Sequence, residues 1–499
     1  MSVNTSIRAA ITNDPYMGYA SKEEALADCE FTCQAEAMAR IVRGQNVFLS
    51  GRAGSGKSTI ISQARDYIDR VSGHRTLVAM TATTTLAARL IDGVTVHSWS
   101  GLRVFEGDVS RLSDRDIIRL KLGYQMSNIR KTDVLVIDEV SMLPAYYLDN
   151  VDMICRKALH NNRPFGGLQV IMSGDLLQLP PVTRPDDDPT LNHGMVTESR
   201  VWNNPDFVLH TCFLDHSFRA SDQRMNHLLE AFETQRFNDD DVAIIYDAQT
   251  RKPDDHKSYV TLFTTRRNVN SYNDEQLDDL EGETVTFTLR EGKGDAKHLC
   301  RDFDVPRQLH LKVGAPVIST AHVGDVANGD MGTVVALSPT SVIVQWNHGG
   351  VSEVTPFTFK KLSTRRLSDG TVVQEVVGSI TQIPLKLGYA ITVHKSQGQT
   401  FDGVRVDLSQ CFTPGLGLVA LSRVRSAEDL LITNINDSAY RMNESALRDV
   451  AEIKRNALVG RHEFATSPEF ATIYPDMFFD YAHQWKTLVA RSESTSLLP

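Results

Sequence analysis

The stretch Phe48-Leu49-Ser50-Gly51-Arg52-Ala53-Gly54-Ser55-Gly56-Lys57-Ser58-Thr59 decides the fold. The apolar run from Asn46 to Leu49 predicts a strand, and Ile60 to Ile68 predicts a helix. Between them the chain fits G-x-x-x-x-G-K-[ST]. Glycines at 51, 54 and 56 let the backbone curl until its N–H groups converge on one concavity, a nest for an anion. Lys57 adds a full positive charge beside the β- and γ-phosphates of a nucleotide, and the Ser58 hydroxyl is placed to ligate Mg²⁺. The following helix contributes about half a positive charge at its N-terminus. Gly51, Ala53, Gly54, Ser55, Gly56, Lys57, Ser58 and Thr59 are therefore the candidate contacts to the nucleotide. A glycine-rich turn that fits by chance is the bland alternative. The strand before it and the helix after it are the context the mechanism requires.

Two more predicted strands end in chemistry. Val134-Leu135-Val136-Ile137 has the continuous apolar character of a buried parallel strand and runs into Asp138-Glu139. Carboxylates buried there are costly unless a metal or hydrogen bonds compensate them. The expected roles are Asp138 as the partner of Mg²⁺ and Glu139 as the base that activates a water. Leu168 to Met172 ends in Ser173-Gly174-Asp175-Leu176-Leu177-Gln178, where Gln178 could sense the γ-phosphate. Upstream, Gln34 falls on a helix expected from the capping box at Ser21 to about Val42, and an amide can read an adenine edge. Thr81-Ala82-Thr83-Thr84-Thr85 clusters hydroxyls at a strand end, suited to phosphate oxygens or simply to capping the next helix.

The bulk properties limit the rest. With 499 residues, 41% hydrophobic and 23% charged, the chain can hold about three folded units and is not broadly disordered. A net charge of -10 argues against a surface coated in positive potential, but leaves room for a local basic channel. Six cysteines are scattered, with only Cys29 and Cys33 close together, which favours reduced thiols in an intracellular protein over zinc. No secretory signal or membrane span is expected.

Further along, residues 103–131 carry seven basic against four acidic side chains, a mild excess. Leu309 to Leu385 changes to short alternating strands, with a hairpin around Ser338-Pro339-Thr340 and a turn at Asp369-Gly370, the pattern of a small β-barrel. Tyr389 to Thr400 and Leu418 to Ser426 return to an α/β pattern. In the C-terminal region Leu447, Val450, Ala451 and Lys454 are expected to share a helix face, with Gly460 stopping that helix. Phe478, Tyr481, Trp485 and Leu488 would share a second, more plausibly core or docking surface than a base-stacking platform.

Taken together, GRAGSGKS, TATTTLAA, GVTVHS, VIDEVSM, GDLLQLPPV, FRA, YAITVHKSQGQT and VALSRVRS resemble the successive ATP and DNA motifs of the Pif-type (petite integration frequency) DNA helicases of superfamily one. The resemblance covers roughly residues 30–435, and the segment from Leu148 to Gln169, ending in Arg163-Pro164-Phe165-Gly166-Gly167-Leu168-Gln169, is similar to the family's distinguishing signature. Thr85, Ala220 and Leu416 depart from the usual pattern. The resemblance implies an α/β fold with two RecA-like P-loop domains built of parallel sheets flanked by helices. Residues 21–102 and 132–215 would form the first and 216–308 with 386–436 the second. Residues 103–131 would be a wedge insertion and 309–385 an SH3-like β-barrel insertion. Residues 1–20 would be a flexible tail and 437–499 a helical tail.

It also implies ATP and Mg²⁺ in the cleft, with Gly398 near the nucleotide and Arg219 and Arg423 acting on the γ-phosphate beside Lys57, Glu139 and Gln178. Thr81, Thr84, His97, Asn273, His394 and Lys395 would contact single-stranded DNA, mostly at phosphate. The implied activity is a monomeric 5′-to-3′ helicase acting on forks, duplexes, R-loops or G-quadruplexes in replication, repair, recombination or telomere maintenance. Three alternatives compete: a RecD-like translocating subunit of a larger machine, an inactive nucleic-acid-binding module, and a switch GTPase. The signature at 163–169 weighs against the first, the retention of Lys57, Asp138, Glu139, Gln178, Arg219 and Arg423 against the second, and the lack of a guanine-reading loop against the third.

Overall fold

The computed structural model describes residues 33–52, 54–73, 75–102, 107–112, 123–181, 183, 187–214, 222–254, 259–366 and 372–466. Ala53, Arg219 and Ala220, the first part of the Ser21 helix and the Phe478–Leu488 stripe lie outside these residues.

Six strands, β1 (Asn46–Gly51), β2 (Val78–Ala82), β3 (Val94–Thr95), β4 (Val134–Asp138), β5 (Gln169–Gly174) and β6 (Leu209–Leu214), form one sheet. Its order is β3-β2-β4-β5-β1-β6, and every pairing is parallel. β1 and β4 are apolar on both faces because both faces are covered. Helices α1 (Cys33–Val42) and α2 (Lys57–Ser72) cover one face through Ala37, Ile41, Ile60, Ala64 and Ile68. On the other face Phe48, Ile137 and Met172 join a core shared with α6 (Ala145–Leu159), after the short helices α3 (Thr85–Leu90), α4 (Val96–Ser100) and α5 (Gly123–Lys131). The carboxyl ends of β1, β4 and β5 thus carry Gly51, Asp138 and Gly174 side by side, where ligands of such sheets bind.

A second parallel sheet has the order β18-β7-β19-β20, from β7 (Val260–Phe263), β18 (Ala390–Thr392), β19 (Val404–Leu408) and β20 (Leu430–Ile435). α7 (Gln223–Thr234) and α8 (Asp239–Thr250) precede it, and α9 (Arg266–Asp279) follows β7. α11 (Val393–Ser396) and α12 (Leu416–Leu421) follow β18 and β19. Leu262, Val406 and Ala420 bury into the same apolar core that lies beneath the first sheet.

Between β7 and β18 the chain builds antiparallel strands, as alternation predicted. β11 (Pro316–Ser319), β12 (Met331–Leu337), β13 (Val342–Trp346), β14 (Val351–Val354) and β17 (Leu385–Leu387) pair in the order β14-β13-β12-β11-β17. β8 (Val285–Thr288) pairs with β10 (Gln308–Leu311) on either side of α10 (Ala296–Phe303). β9 (Arg290–Glu291), β15 (Phe357–Arg366) and β16 (Val372–Gln382) form a third sheet. Among the described residues these pairings do not close a barrel: the long β15–β16 hairpin leaves the five-stranded sheet instead of sealing it.

The C-terminal helix differs from expectation in two ways. α13 runs from Glu444 to Thr466, straight through Gly460. The Gly460 carbonyl accepts from Arg40 Nη2 of α1 at 2.7 Å. The buried face is Ala446, Val450, Ile453 and Ala457, while Ala451 is exposed. The face is shifted because α13 lies along β6, with Lys454 Nζ 4.6 Å from the centre of the Phe213 ring. Val450 and Ile453 each contribute roughly 1.5–3 kcal/mol by burial. No described helix is long and apolar enough to cross a membrane, and among the described residues no disulfide joins two of the five cysteines.

Candidate functional site

β1 delivers the chain to Gly51, whose φ is +151° and where a Cβ would lie 2.8 Å from the Leu214 carbonyl oxygen. Only glycine fits between the loop and β6. The loop closes on Gly56, which caps α2 with φ +86° and no side-chain hydrogen bond, and no acid stands in the first turn. The first N–H groups of α2 are left for an anion. Lys57, 9% exposed, donates to the carbonyls of Gly51 at 2.6 Å and Arg52 at 2.8 Å, inside the loop where phosphate oxygens would compete for it. Three side chains assigned to the nucleotide carry buried polar atoms with no partner: Gln34 Nε2, Ser55 Oγ and Gln178 Oε1. Unpaired buried polar groups are costly, and a nucleotide would satisfy them.

The acids sit as their strand predicted. Asp138 is buried and accepts from Ser58 Oγ at 3.0 Å, from Ser173 Oγ, and from the Glu139 peptide N–H at 2.9 Å. Among the described residues no cluster of three or more His, Cys, Asp or Glu could hold a metal by itself. A hydroxyl and one carboxylate, completed by phosphate oxygens and water, is the donor set Mg²⁺ takes in nucleotide sites. Glu139 has φ +55°, a left-handed conformation just past the end of β4. Its carboxyl is held above the usual carboxylate range by burial and by Asp138, against the opposing pull of Lys57 and Arg423.

The second sheet's unit reaches the same place. Gln397 Nε2 donates to Glu139 Oε2 at 3.4 Å, and a Cβ on Gly398 would come 3.9 Å from Glu139 Oε1. Gly415, which caps α12, packs against the Leu177 and Gln178 carbonyls. Gln178 Nε2 donates to Asp175 at 3.1 Å. Arg423 is fully buried. Its guanidinium donates to the carbonyls of Val419 at 2.7 Å and of Ser396 and Gln399 at 3.2 Å, which fixes the loop carrying Gln397 and Gly398.

The six DNA candidates divide. Thr84, His394 and Lys395 line a cavity of about 340 Å³ between the first unit and the β-rich insertion, together with Met142, Asn328 and Lys386. Thr84 also caps α3, accepting from the Ala87 N–H at 3.2 Å. The other three do not line it. Thr81 is wholly buried and donates its hydroxyl to the Val136 carbonyl, a sheet contact. Asn273 is buried and clamps Ala390 through both its amide groups, so it pins α9 to β18. His97 packs 4.3 Å from the Tyr147 ring centre, and burial lowers its pKa to about 4, which leaves it neutral near pH 7.

Sequence reasoning missed the charges around the cavity. Asp304, in a left-handed turn after α10, pairs with Lys386, with Lys395 and, at 3.9 Å, with Arg266. Burial lowers the Lys386 pKa to about 8, although Asp304 opposes the shift. Next in sequence to the lining residues Gly329 and Met331, Asp330 pairs with Arg89 of α3 and also receives His348 at 3.2 Å. Lys386 was findable as the one charged residue inside the apolar strand Leu385–Leu387; the two aspartates carried no local signal.

Two parallel sheets meeting over a phosphate loop, with the half-buried Glu139 carboxylate touched from the second unit, define a two-lobed RecA-like ATPase. The family described as PIF1-like helicase matches residues 33–254. The ATP-dependent DNA helicase Pif1 of Psychrobacter sp. is 31% identical over 86% of this chain and 74% of its own. That of Bdellovibrio bacteriovorus is 32% identical over 81% and 87% respectively. A Bacteroides Pif1 helicase in complex with ADP-AlF3 and ssDNA superposes with a TM-score of 0.73 at 29% identity, over 85% of this chain and 97% of that one. The chain belongs to the PIF1-like helicase family.

Proposed function

We propose that this protein is an ATP-dependent DNA helicase that translocates 5′ to 3′ on single-stranded DNA and opens forked or structured DNA. The observation that carries the reading is Glu139, presented beside Asp138 and touched by Gln397 from the second unit. Hydrolysis then depends on how the two units sit against each other, which is what a motor needs. Gln34 would read the adenine, Ser55 and the α2 N-terminus would cradle phosphate, and Lys57 would neutralise it. Ser58 and Asp138 would hold Mg²⁺, which offsets charge on the β- and γ-oxygens. Glu139 would orient and deprotonate the attacking water, with Arg423 and Arg219 supplying positive charge on closure. Gln397 also lines the 340 Å³ cavity, so a strand bound there and the base share one side chain.

Single-stranded DNA would thread this cavity against Thr84, His394 and Lys395, contacted mainly at phosphate. Residues 103–131 would form the fork-splitting wedge, and 309–385 would enclose the strand. Action as a monomer, inside the cell, on R-loops or G-quadruplexes and in replication, repair or recombination, completes the reading. Strand displacement on forks with a 5′ or a 3′ overhang tests it. Unwinding of the 5′-tailed fork alone, lost in Glu139→Gln, is expected; ATP-independent or 3′-to-5′ opening would refute it.

A further inference from the structure

Arg52 follows the first glycine of the phosphate loop, yet its side chain leaves the loop and crosses to the other unit. Its Nε lies 2.8 Å from Glu233 Oε2, and its Nη2 lies 3.8 Å from Glu230. Both acids stand on α7, which belongs with the second sheet. α7 packs on α8 and α12, and its capping residue Asp222 accepts from the Ala427 N–H and the Ser426 hydroxyl just before β20. The pair therefore spans the two units at the loop itself. Its ends differ: the Arg52 side chain is 19% exposed, the Glu233 side chain 5%. The same Arg52 holds Lys57 through its backbone carbonyl. One residue thus links the lysine of the loop to a helix of the opposite unit.

We infer that Arg52 and Glu233 are positioning residues that couple closure of the two units to the geometry of the phosphate loop, and so set the rate of the closed, hydrolysing state more than the binding of nucleotide. The inference rests on the ATPase reading above. The loop, Lys57 and Ser58 all lie in the first unit and can hold nucleotide without closure. Gln397, Gly398 and Arg423 come from the second and act only when it closes. A charge-assisted hydrogen bond across that boundary favours closure. Burial pushes the Glu233 carboxyl above its usual range and Asp175 pushes it further, while Arg52 and, more weakly, Lys454 of α13 hold it down. Removing Arg52 leaves a buried carboxylate beside another acid with no hydrogen-bonded cation and only the weaker pull of Lys454; removing the carboxylate leaves only a partly exposed guanidinium that water can serve. The two single substitutions should therefore be unequal, and the second should relieve the first.

The test is steady-state ATPase with and without oligo-dT, plus the Kd of a fluorescent ADP, on Arg52→Ala, Arg52→Lys, Glu233→Gln and the Arg52→Ala/Glu233→Gln double variant. Arg52→Ala should lower DNA-stimulated kcat about tenfold while the ADP Kd moves less than about threefold. Glu233→Gln, which keeps an oxygen acceptor, should lose about two- to threefold, and the double variant should recover to that level. Arg52→Lys keeps the charge and should fall between wild type and Arg52→Ala. Unchanged kcat in Arg52→Ala, or a double variant no better than it, overturns the inference while leaving the ATPase reading intact. If Arg52→Ala does not fold, a wild-type kcat in both Arg52→Lys and Glu233→Gln overturns it equally. A wild-type protein without DNA-stimulated hydrolysis overturns both.

Discussion

Around Glu139, the groups that would meet ATP are buried, close and partly unsatisfied: Lys57 and Asp138 are hidden, and Gln34, Ser55 and Gln178 hold polar atoms with no partner. Around the cavity lined by Thr84, His394 and Lys395, the charges are already spent on the protein's own acids, Asp304 and Asp330. The first region holds donors and acceptors ready for a ligand, and Lys57 would give up only two neutral carbonyls of its own loop. A DNA phosphate bound in the second, as proposed, would have to displace internal ion pairs, which would make affinity modest and release easy. A motor needs both: firm placement where chemistry occurs, and replaceable contacts where the strand moves.

The largest effect that could break this contrast is expected at the base. Glu139→Gln should lower DNA-stimulated kcat by up to about 10⁴-fold while ATP still binds. In the proposed role of base Glu139 would work ionised, and its pKa is raised by burial and Asp138. The acid limb of kcat/KM for ATP should therefore lie above the ordinary carboxylate value, activity rising with pH through that limb. A limb at or below pH 4.5, measured with DNA saturating, would show that the carboxylate is not held as the structure has it. Arg423→Ala should cost on the order of 10³-fold in DNA-stimulated kcat. Because Arg423 also holds three backbone carbonyls, the melting temperature should fall too. Arg423→Lys keeps the charge but loses the planar fork, and it should remain strongly impaired in the same assay.

On the strand side the effects are smaller and electrostatic. Lys386 titrates near pH 8, so its charge, and with it phosphate affinity, falls as pH rises from 7 to 9. Single-strand Kd at constant salt should weaken severalfold over that range, and the change should vanish in Lys386→Met. Lys395→Ala should flatten the slope of log K against log salt by about 0.7, the value for one phosphate contact on a single strand. Asp304→Asn, which frees both lysines and suits a left-handed turn, should tighten binding. Weaker binding in Asp304→Asn would mean that the aspartate positions the lysines more than it competes for them.

The same contrast explains what could be read from the residues alone. Phe48 to Thr59 is legible because a local stretch of backbone makes the site, and the glycines, lysine and serine report it directly. Asp138 and Glu139 are legible because acids at the end of a buried strand need a reason. The strand side depends on contacts between residues far apart in the chain, such as Arg89 with Asp330 or Lys395 with Asp304, and no local pattern encodes those. Hydroxyls and amides are ambiguous as well: Thr81 and Thr84 stand three apart in one motif, yet one is locked in the sheet and the other faces the cavity. The buried face of α13 was placed only in part: Val450 is buried and Leu447 and Lys454 pack inward, but Ala446, Ile453 and Ala457 were missed, since the partner that sets the face, β6, lies more than two hundred residues earlier.

The smallest effect expected is the sharpest on this point. Thr81 and Asn273 carry family resemblance as DNA contacts, but here both spend their polar groups on backbone: Thr81 on the Val136 carbonyl, Asn273 on the carbonyl and N–H of Ala390. Thr81→Val keeps the shape and removes one buried hydrogen bond, worth about 1 kcal/mol. Asn273→Leu removes two and leaves the Ala390 groups short of partners, so its stability loss should be larger. Neither variant touches a charge that faces phosphate. Oligo-dT anisotropy at fixed salt should give a Kd within about twofold of wild type, with an unchanged salt slope, for both variants at a temperature well below their melting points. Denaturant unfolding should show the stability loss in the same preparations. If instead Thr81→Val weakens DNA binding tenfold with its stability intact, the hydroxyl must leave the Val136 carbonyl for the strand. The first sheet's edge would then rearrange on binding DNA, and the division between a fixed nucleotide side and an exchangeable strand side would fail at this residue.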